Sequence, residues 1–259
     1  MAPIHSHVPF SPQRPFRTVR PASDKIIFLS FEGEVTETEY FERVSFLFDA
    51  IKNKIHVISV TEDAVNTDPK YRTPEQIKLL SSGRPKQLVE RIDRFKQNYG
   101  DEYEFDKHPN DEFWIVTDVD DNWSDLWIDE WNEAVNLCAE RHYQYVISNP
   151  FFEIWLLLHH DDATDEDKAF AVTDEHSYKP TAHFRGRLRK LGAPLKKTKH
   201  IRKEDYSIEN IRSATDRAKN LHVDKADPAP HYFASTVYLL TEKLFALLDE
   251  YQDPTVYNT

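Results

Sequence analysis

The chain has 259 residues, 39% of them hydrophobic and 13% aromatic, and a formal net charge of −12, so it can bury a core and is not wholly disordered. No apolar run approaches the roughly 18 residues that a membrane span needs, and the single cysteine, Cys138, excludes a disulfide framework and a Cys-rich zinc site within one chain. Because the N-terminal residues lack the charged-then-apolar order of a signal peptide, we expect a cytoplasmic protein with no membrane partner.

The first part of the chain alternates short apolar runs with longer amphipathic segments. Residues 1–22 show no periodicity and are interpreted as an N-terminal tail. The predicted strands are Lys25–Phe31, Ile55–Val60, Glu112–Thr117 and Gln144–Ser148. The predicted helices are one that begins at Thr36, one over Pro74–Tyr99 and one over Asp125–Arg141. Strands that alternate with helices in this way predict a mostly parallel four-stranded sheet with helices on both faces.

Two of these helices carry further local signals. Thr36 resembles an N-cap, and Glu39 stands three residues later, as in a capping box. Pro74 suits a first helical turn, but the pattern is interrupted near Gly83–Pro85, where the helix is a candidate for division.

The character of the sequence changes after Asn149–Pro150. Phe151–His160 is apolar almost throughout and predicts a buried helix. The later residues are polar, basic and helical in pattern, and they end in the amphipathic segment Phe233–Tyr251. We therefore divide the chain into an α/β domain at 23–160, a basic helical extension at 161–251 and a C-terminal tail at 252–259.

Charge is distributed unevenly, although the net charge alone argues against non-specific nucleic-acid binding. Between Asp101 and Glu130 a dozen acids accompany one cation, whereas ten Lys and Arg residues and no acid occur in the basic strip, residues 176–203. An acidic site beside a basic strip is what a metal enzyme acting on polyanions requires. Solvated helix faces explain the same asymmetry equally well, so charge by itself leaves both interpretations open.

Glu32 directly follows the first predicted strand and precedes Gly33, one of five glycines in the chain. A glycine at a strand-to-helix turn indicates a positive φ or the close approach of a ligand. Sites in open parallel sheets form at the carboxyl ends of strands, where Glu32 lies. An acid favoured by the dipole at a helix N-terminus is an equally good interpretation of this position.

Asp118 and Asp120 lie at the end of the third predicted strand, where extended backbone directs both side chains to the same side. Neighbouring carboxylates without a cation repel each other, and a hard divalent ion relieves that repulsion. Mg²⁺ suits such a site because it accepts a few carboxylates and keeps waters for substrate phosphates. Taken alone the pair is more typical of a turn or cap, but together with Glu32 it favours a magnesium site.

Glu153 stands early in the apolar segment that follows Pro150, where a carboxylate needs a partner, a metal or backbone donors. It either joins the strand-end site or caps its own helix. His159 and His160 point apart on a helix and are interpreted as helix-end residues, not metal ligands. The sequence has no Walker loop, GxGxxG, GxSxG or HExxH motif, so P-loop, nicotinamide, serine-hydrolase and zincin chemistry lose their usual support.

Three ordered segments resemble the RloB-like family. They are Glu32–Phe41, which reads EGEVTETEYF, Asp118–Asp121, which reads DVDD, and Asn149–His159, which reads NPFFEIWLLLH. The likeness extends over most of Lys25–Tyr251 and includes Ser235–Tyr238 in the closing helix. Because that family is similar to Toprim domains, the resemblance implies a Toprim-like α/β fold, with a mostly parallel four-stranded sheet and a C-terminal helical extension.

The resemblance also implies a metal site and an activity. Toprim domains hold magnesium through a Glu after the first strand and a DxD after a later strand. By position, the implied catalytic and metal-binding residues are Glu32, Asp118 and Asp120, with Asp121 as a further ligand and Glu34 and Glu153 as supporting residues. RloB-like proteins occur near restriction and phage-defence loci, often beside an ATPase, which implies an effector nuclease in antiviral defence by abortive infection.

We therefore predict a metal-dependent nuclease acting on DNA or RNA. Asp118 and Asp120 would hold one or two Mg²⁺ or Mn²⁺ ions, and Glu32 would be a ligand or the base that takes a proton from the attacking water. The candidates for gripping the phosphate backbone are Lys196, Lys197, Lys199, Arg202 and Lys203, and those for stacking on bases are His200 and Tyr206. The alternative is a non-catalytic Toprim-like subunit that binds nucleic acid or a nucleotide within an ATPase-containing defence complex. A homo-oligomer is compatible with either hypothesis.

Overall fold

The computed structural model of the chain describes residues 25–33, 35–52, 55–59, 84–119, 125–171, 179–195, 199–222 and 232–252. Both predicted tails lie outside these residues, apart from Gln252. Five predicted site residues also lie outside them, namely Glu34, Asp120, Asp121, Lys196 and Lys197.

The described residues form one five-stranded sheet. Its strands are β1 (Lys25–Phe31), β2 (Ile55–Ser59), β3 (Glu112–Asp118), β4 (Gln144–Asn149) and β5 (Ala234–Ser235). The spatial order is β2-β1-β3-β4-β5, with the first four strands parallel and β5 antiparallel to β4. The predicted α/β fold with a mostly parallel sheet is confirmed. The fifth strand was not predicted because two residues are too few to show a periodic pattern.

Eight α-helices lie within the described residues. They are α1 (Thr36–Lys52), α2 (Pro85–Tyr103), α3 (Asp125–Arg141), α4 (Glu153–Leu158), α5 (Asp165–Ala171), α6 (Lys179–Lys190), α7 (Ile208–Leu221) and α8 (Tyr238–Gln252). Helix α2 begins at Pro85, at the interruption seen in the sequence, because a proline in the first turn needs no backbone N–H partner. The part of the predicted helix from Pro74 to Gly83 lies outside the described residues. Of the helices described, none is long and apolar enough to cross a membrane.

Strand β1 is buried on both faces. Its residues Ile27, Leu29 and Phe31 belong to the larger hydrophobic cluster, whereas Ile26 and Phe28 belong to a second cluster on the opposite face. This division follows from the alternation of side chains along a strand. A strand covered on both faces requires apolar residues at consecutive positions, which explains the run KIIFLSF.

The larger cluster continues into the C-terminal part of the chain. It contains Trp155 of α4 together with three buried residues from later in the chain: Phe184 of α6, Tyr206, which precedes α7, and Leu244 of α8. Strand β5 also adds to the sheet from that part of the chain. The predicted domain boundary near residue 160 stays a prediction, but hydrophobic packing is continuous across it.

Phe184→Ala should therefore destabilise the whole molecule. The side chain is fully buried, so its truncation leaves a cavity and should lower the free energy of unfolding by about 3–5 kcal/mol in one cooperative transition. Leu191→Ala, at a partly exposed residue after the same helix, should change it by less than about 1 kcal/mol. Urea denaturation followed by circular dichroism and tryptophan fluorescence measures both; a transition confined to part of the chain would contradict the shared core.

Candidate functional site

The order of the strands reverses at β1, so the carboxyl ends of β1 and β3 form a topological switch point. The chain passes from β1 to β2 on one side and then crosses to β3 on the other side of β1. Such a reversal of strand order leaves a crevice where ligands bind in open α/β sheets. Glu32 directly follows β1 and Asp118 ends β3, so both flank this crevice.

The register of the two strands places the backbones of Glu32 and Asp118 close together. Phe31 pairs with Val116, so continuing the register by one residue brings Glu32 opposite Thr117, next to Asp118. With neighbouring strands about 4.8 Å apart and a rise of about 3.3 Å per residue, the two backbones lie on the order of 6 Å apart. The fold therefore brings the backbones of two predicted site residues, which are far apart in the chain, to adjoining strand ends.

The Asp118 carboxylate is held by the segment that follows β4. Its Oδ2 accepts a hydrogen bond of 3.0 Å from the backbone N–H of Phe152. The backbone N–H of Val119 donates to the carbonyl of Ser148 at 3.0 Å, which keeps the end of β3 on β4. The chain reaches Phe152 through a cis Asn149–Pro150 peptide. Two of the segments singled out in the sequence, DVDD and NPFFEIWLLLH, thus meet at this carboxylate.

A further carboxylate, that of Glu37, lies against the turn after β1. A Cβ atom built on Gly33 would be 1.7 Å from Glu37 Oε2 and 2.0 Å from its Cδ. The close approach indicated by Gly33 is therefore made by a side chain of this chain. Sequence reasoning missed Glu37 because it looked like an ordinary acid in the first turn of α1.

We call the carboxyl ends of β1 and β3, with Glu32 and Asp118, the rim. A buried cation also lies at this rim. Arg91 of α2 is only 3% exposed, and its Nη1 donates a hydrogen bond of 2.9 Å to the carbonyl of Phe31, the residue before Glu32. This bond fixes the backbone where Glu32 leaves the strand. Arg91 could not be singled out from the sequence, because an arginine at one position of an amphipathic helix resembles any solvated residue of that helix.

Glu153, at the first residue of α4, forms an ion pair with Arg185 of α6. Arg185 Nη2 and Nε lie 3.2 and 3.3 Å from Glu153 Oε1. Its buried charge is thus balanced by the basic strip, a partner that neither sequence alternative included. Its supporting role at the site stays a prediction.

Part of the basic strip is docked on the start of α1, beside the acidic rim. Thr36 Oγ1 donates to the carbonyl of Lys199 at 2.8 Å. The Glu39 carboxylate accepts from the N–H of Ile201 at 2.9 Å and lies 2.5 Å from His200 Nδ1. The capping box predicted from Thr36 and Glu39 is therefore wrong: α1 begins at Thr36, but both side chains bind residues 199–201.

The predicted phosphate-binding residues differ in their surroundings. Arg202 is paired with Asp205 at 2.6 Å, and Lys203 with Glu42 at 2.7 Å. Lys199 is exposed. Lys196 and Lys197 lie outside the described residues, so the predictions for them stand as made.

Tyr206 cannot stack on bases, contrary to the prediction, because it is only 1% exposed. Its ring packs against those of Tyr40 and His159, with centroids 5.6 and 5.0 Å away. Tyr40 Oη lies 3.1 Å from His159 Nε2, and His159 Nδ1 lies 2.8 Å from the carbonyl of Trp155. His159 directly follows α4, as predicted, and burial lowers its pKa to about 3.

Comparison with known proteins gives one match. A family model described as RloB-like protein matches residues 27–244, from β1 into α8. No curated protein and no solved structure matches the chain.

The neutral state of His159 should make the fold sensitive to acid. His159 takes up a proton near pH 6.5 in the unfolded chain but only near pH 3 in the folded chain. Its contribution to the stability of the fold is therefore fully present only above pH 6.5. As the pH falls from 6.5 towards 3, protonation of His159 in the unfolded chain should lower the free energy of unfolding by about 1.4 kcal/mol per pH unit. Urea denaturation at pH 7, 6 and 5 should show a shallower decline for His159→Gln than for the exposed-site control His142→Gln. Equal declines in the two variants would refute the buried neutral histidine.

Proposed function

This chain belongs to the RloB-like family, and from that premise we propose that it is a metal-dependent nuclease that hydrolyses phosphodiester bonds of DNA or RNA. The observation that carries the proposal is the placement of Glu32 and Asp118 at the adjoining carboxyl ends of β1 and β3, at the switch point of a parallel sheet. A Toprim-like site, a role in anti-phage defence and a cytoplasmic location are parts of the same proposal.

The donors at the rim suit a hard divalent ion such as Mg²⁺ or Mn²⁺. Mg²⁺ commonly takes one or two carboxylates and completes its octahedron with waters and substrate phosphates. Glu32 and Asp118 meet that requirement, and Asp120 and Asp121 follow closely in the chain. Within the described residues, which omit those last two acids, no three His, Cys, Asp or Glu side chains are grouped to hold an ion.

Each residue of the site has a proposed role in hydrolysis. A bound ion supplies charge that polarises the scissile phosphate and stabilises the leaving oxygen. Asp118 and Asp120 hold that ion, and Asp118 is kept in place by the N–H of Phe152. Glu32 is a further ligand or takes the proton of the attacking water. Glu37, whose carboxylate lies against Gly33 at the turn that carries Glu32, is proposed as a supporting residue and not as a third ligand of the ion.

The second candidate function is a binding subunit without cleavage. It is favoured by one observation: among the described residues, no three His, Cys, Asp or Glu side chains are grouped to hold an ion. In this case the chain binds nucleic acid or a nucleotide through the basic strip and acts with a partner ATPase. Magnesium binding without turnover, together with recovery of an ATPase in complex with the chain, would support this function over the nuclease.

Glu32→Gln and Asp118→Asn should each abolish cleavage. Both variants keep the size of the side chain and remove its charge, so the expected loss is about 100-fold or more, in line with several kcal/mol of metal-derived stabilisation. The assay measures cleavage of duplex and single-stranded DNA and RNA with Mg²⁺, Mn²⁺ or EDTA. Asp129→Asn, on the exposed side of α3, is the matched control and should retain wild-type activity. Wild-type rates in both site variants would end the nuclease proposal.

Gly33→Ala should show whether Glu37 contributes to activity independently of any contribution to the stability of the fold. The three atoms nearest the new methyl group all belong to the flexible Glu37 carboxylate, so stability should change by less than about 1 kcal/mol while activity falls at least about tenfold. Gly186→Ala, where nothing lies within 4 Å, should keep activity and add about 0.5–1 kcal/mol through helix propensity. Equal activity in the two variants would remove Glu37 from the proposed site.

A further inference from the structure

Several cations of the basic strip are bound within the fold. Arg185 pairs with the buried Glu153, and Arg187 bonds to Asp167, which is fully buried, and to Asp161 at 2.7 Å. These pairs fasten α6 to α4 and α5. A guanidinium used to neutralise a buried carboxylate cannot leave it for a ligand without exposing that charge to the interior.

Arg202 and Lys203 are also engaged, at the other end of the strip. Arg202 holds Asp205 through two nitrogens and donates from Nη2 to the carbonyl of Gly192. That contact closes the loop between α6 and residues 199–203. Lys203 is paired with Glu42 of α1. Both side chains therefore have a structural role that explains their charge.

Three other cations of the strip have no such explanation. Arg189, Lys190 and Lys199 are exposed, and none of them is ion-paired within the parts of the chain that the structure describes. For Arg189 and Lys190, in the last turn of α6, the helix dipole is an ordinary reason for a cation. It offers no reason for Lys199, which lies outside any helix.

The backbone of Lys199 strengthens this distinction. Its φ is +67°, in the left-handed region where glycine or asparagine is easier to accommodate than lysine. The hydrogen bond from Thr36 Oγ1 to its carbonyl holds it there. A residue held in an unfavourable conformation, with an exposed charge that pairs with no acid among the described residues, points to a function for the side chain.

The location of Lys199 relates this charge to the acidic rim. Thr36, to which it is bonded, is three residues after Gly33, at the turn that carries Glu32. The Gly192–Arg202 contact brings the end of α6, with Arg189 and Lys190, next to the same loop. The Thr36 contact thus places the backbone of Lys199 near the turn after β1, and the Gly192–Arg202 contact places the end of α6 near residues 199–203.

We infer that Arg189, Lys190 and Lys199 form a phosphate-binding surface that holds the backbone of a nucleic acid against the rim, and that Arg202 and Lys203 are not part of it. The inference rests on the proposed function for the nature of the polyanion. Contacts from exposed Lys and Arg to phosphates do not depend on base sequence. Each contact to duplex DNA releases condensed counterions and adds about 0.9 to the slope of log K against log salt.

The test is the salt dependence of binding by the full chain. A labelled DNA duplex is titrated by fluorescence anisotropy across a range of salt concentrations with EDTA present, so that binding is measured without turnover. The variant R189Q/K190Q/K199Q should lower the slope by about 2.7 and weaken binding on the order of 100-fold or more at 0.1 M salt. Its melting temperature should match that of the wild type, because all three residues are exposed.

Two controls give the test its specificity. The variant K86Q/K107Q/K219Q removes three lysines that are ion-paired elsewhere in the fold, two of them exposed and Lys86 partly exposed. It removes the same number of positive charges and should keep the slope within about 0.5 of wild type. K203Q removes one paired cation of the strip itself and should also keep the slope.

Three results would overturn the inference: a wild-type slope in the R189Q/K190Q/K199Q variant, an equal fall in the charge-matched control, or a slope lowered by about 1 in K203Q. Absence of duplex binding by the wild-type chain would overturn it as well. Failure of the nuclease proposal looks different, because it leaves salt-dependent binding intact with no cleavage when Mg²⁺ or Mn²⁺ is added.

Discussion

The pairing of β1 with β3 is the constraint on which the candidate site depends. β1 has parallel neighbours on both sides and is buried on both faces, so it cannot shift by one residue without moving its apolar side chains to the wrong face. That register sets Phe31 beside Val116 and thereby sets Glu32 beside the end of β3. The geometry of the rim is thus a consequence of packing far below it.

Acidic and basic residues both lie around this rim, and contacts with the surrounding fold hold them in place. Asp118 is oriented by a backbone N–H after β4, and Arg91 is buried beneath the end of β1. Glu39 of α1 draws residues 200 and 201 of the basic strip to the same end of the sheet. The proposed binding of a polyanion is compatible with a net charge of −12, because the local arrangement of charge, and not its sum, sets the field at a site.

The wrong expectations share a physical cause. The Thr36/Glu39 pair has the spacing of a capping box, and Tyr206 follows a run of cations, so local pattern favoured a cap and a stacking residue. In the fold, both acquire partners from distant parts of the chain: Thr36 binds Lys199, and Tyr206 packs on Tyr40. Local spacing cannot show which long-range partner competes for a side chain.

The sequence by itself determined the parallel strands, the helices between them and the position of Glu32 and Asp118 at strand ends, because apolar periodicity and strand-end acids are local properties. Only the tertiary structure decided that β5 joins the sheet, that Glu37 approaches Gly33, that Arg91 supports the rim, and which cations of the strip are already paired. Each of these contacts joins residues that are far apart in the chain. Which of them meet depends on how the whole core packs, and local sequence patterns do not show this.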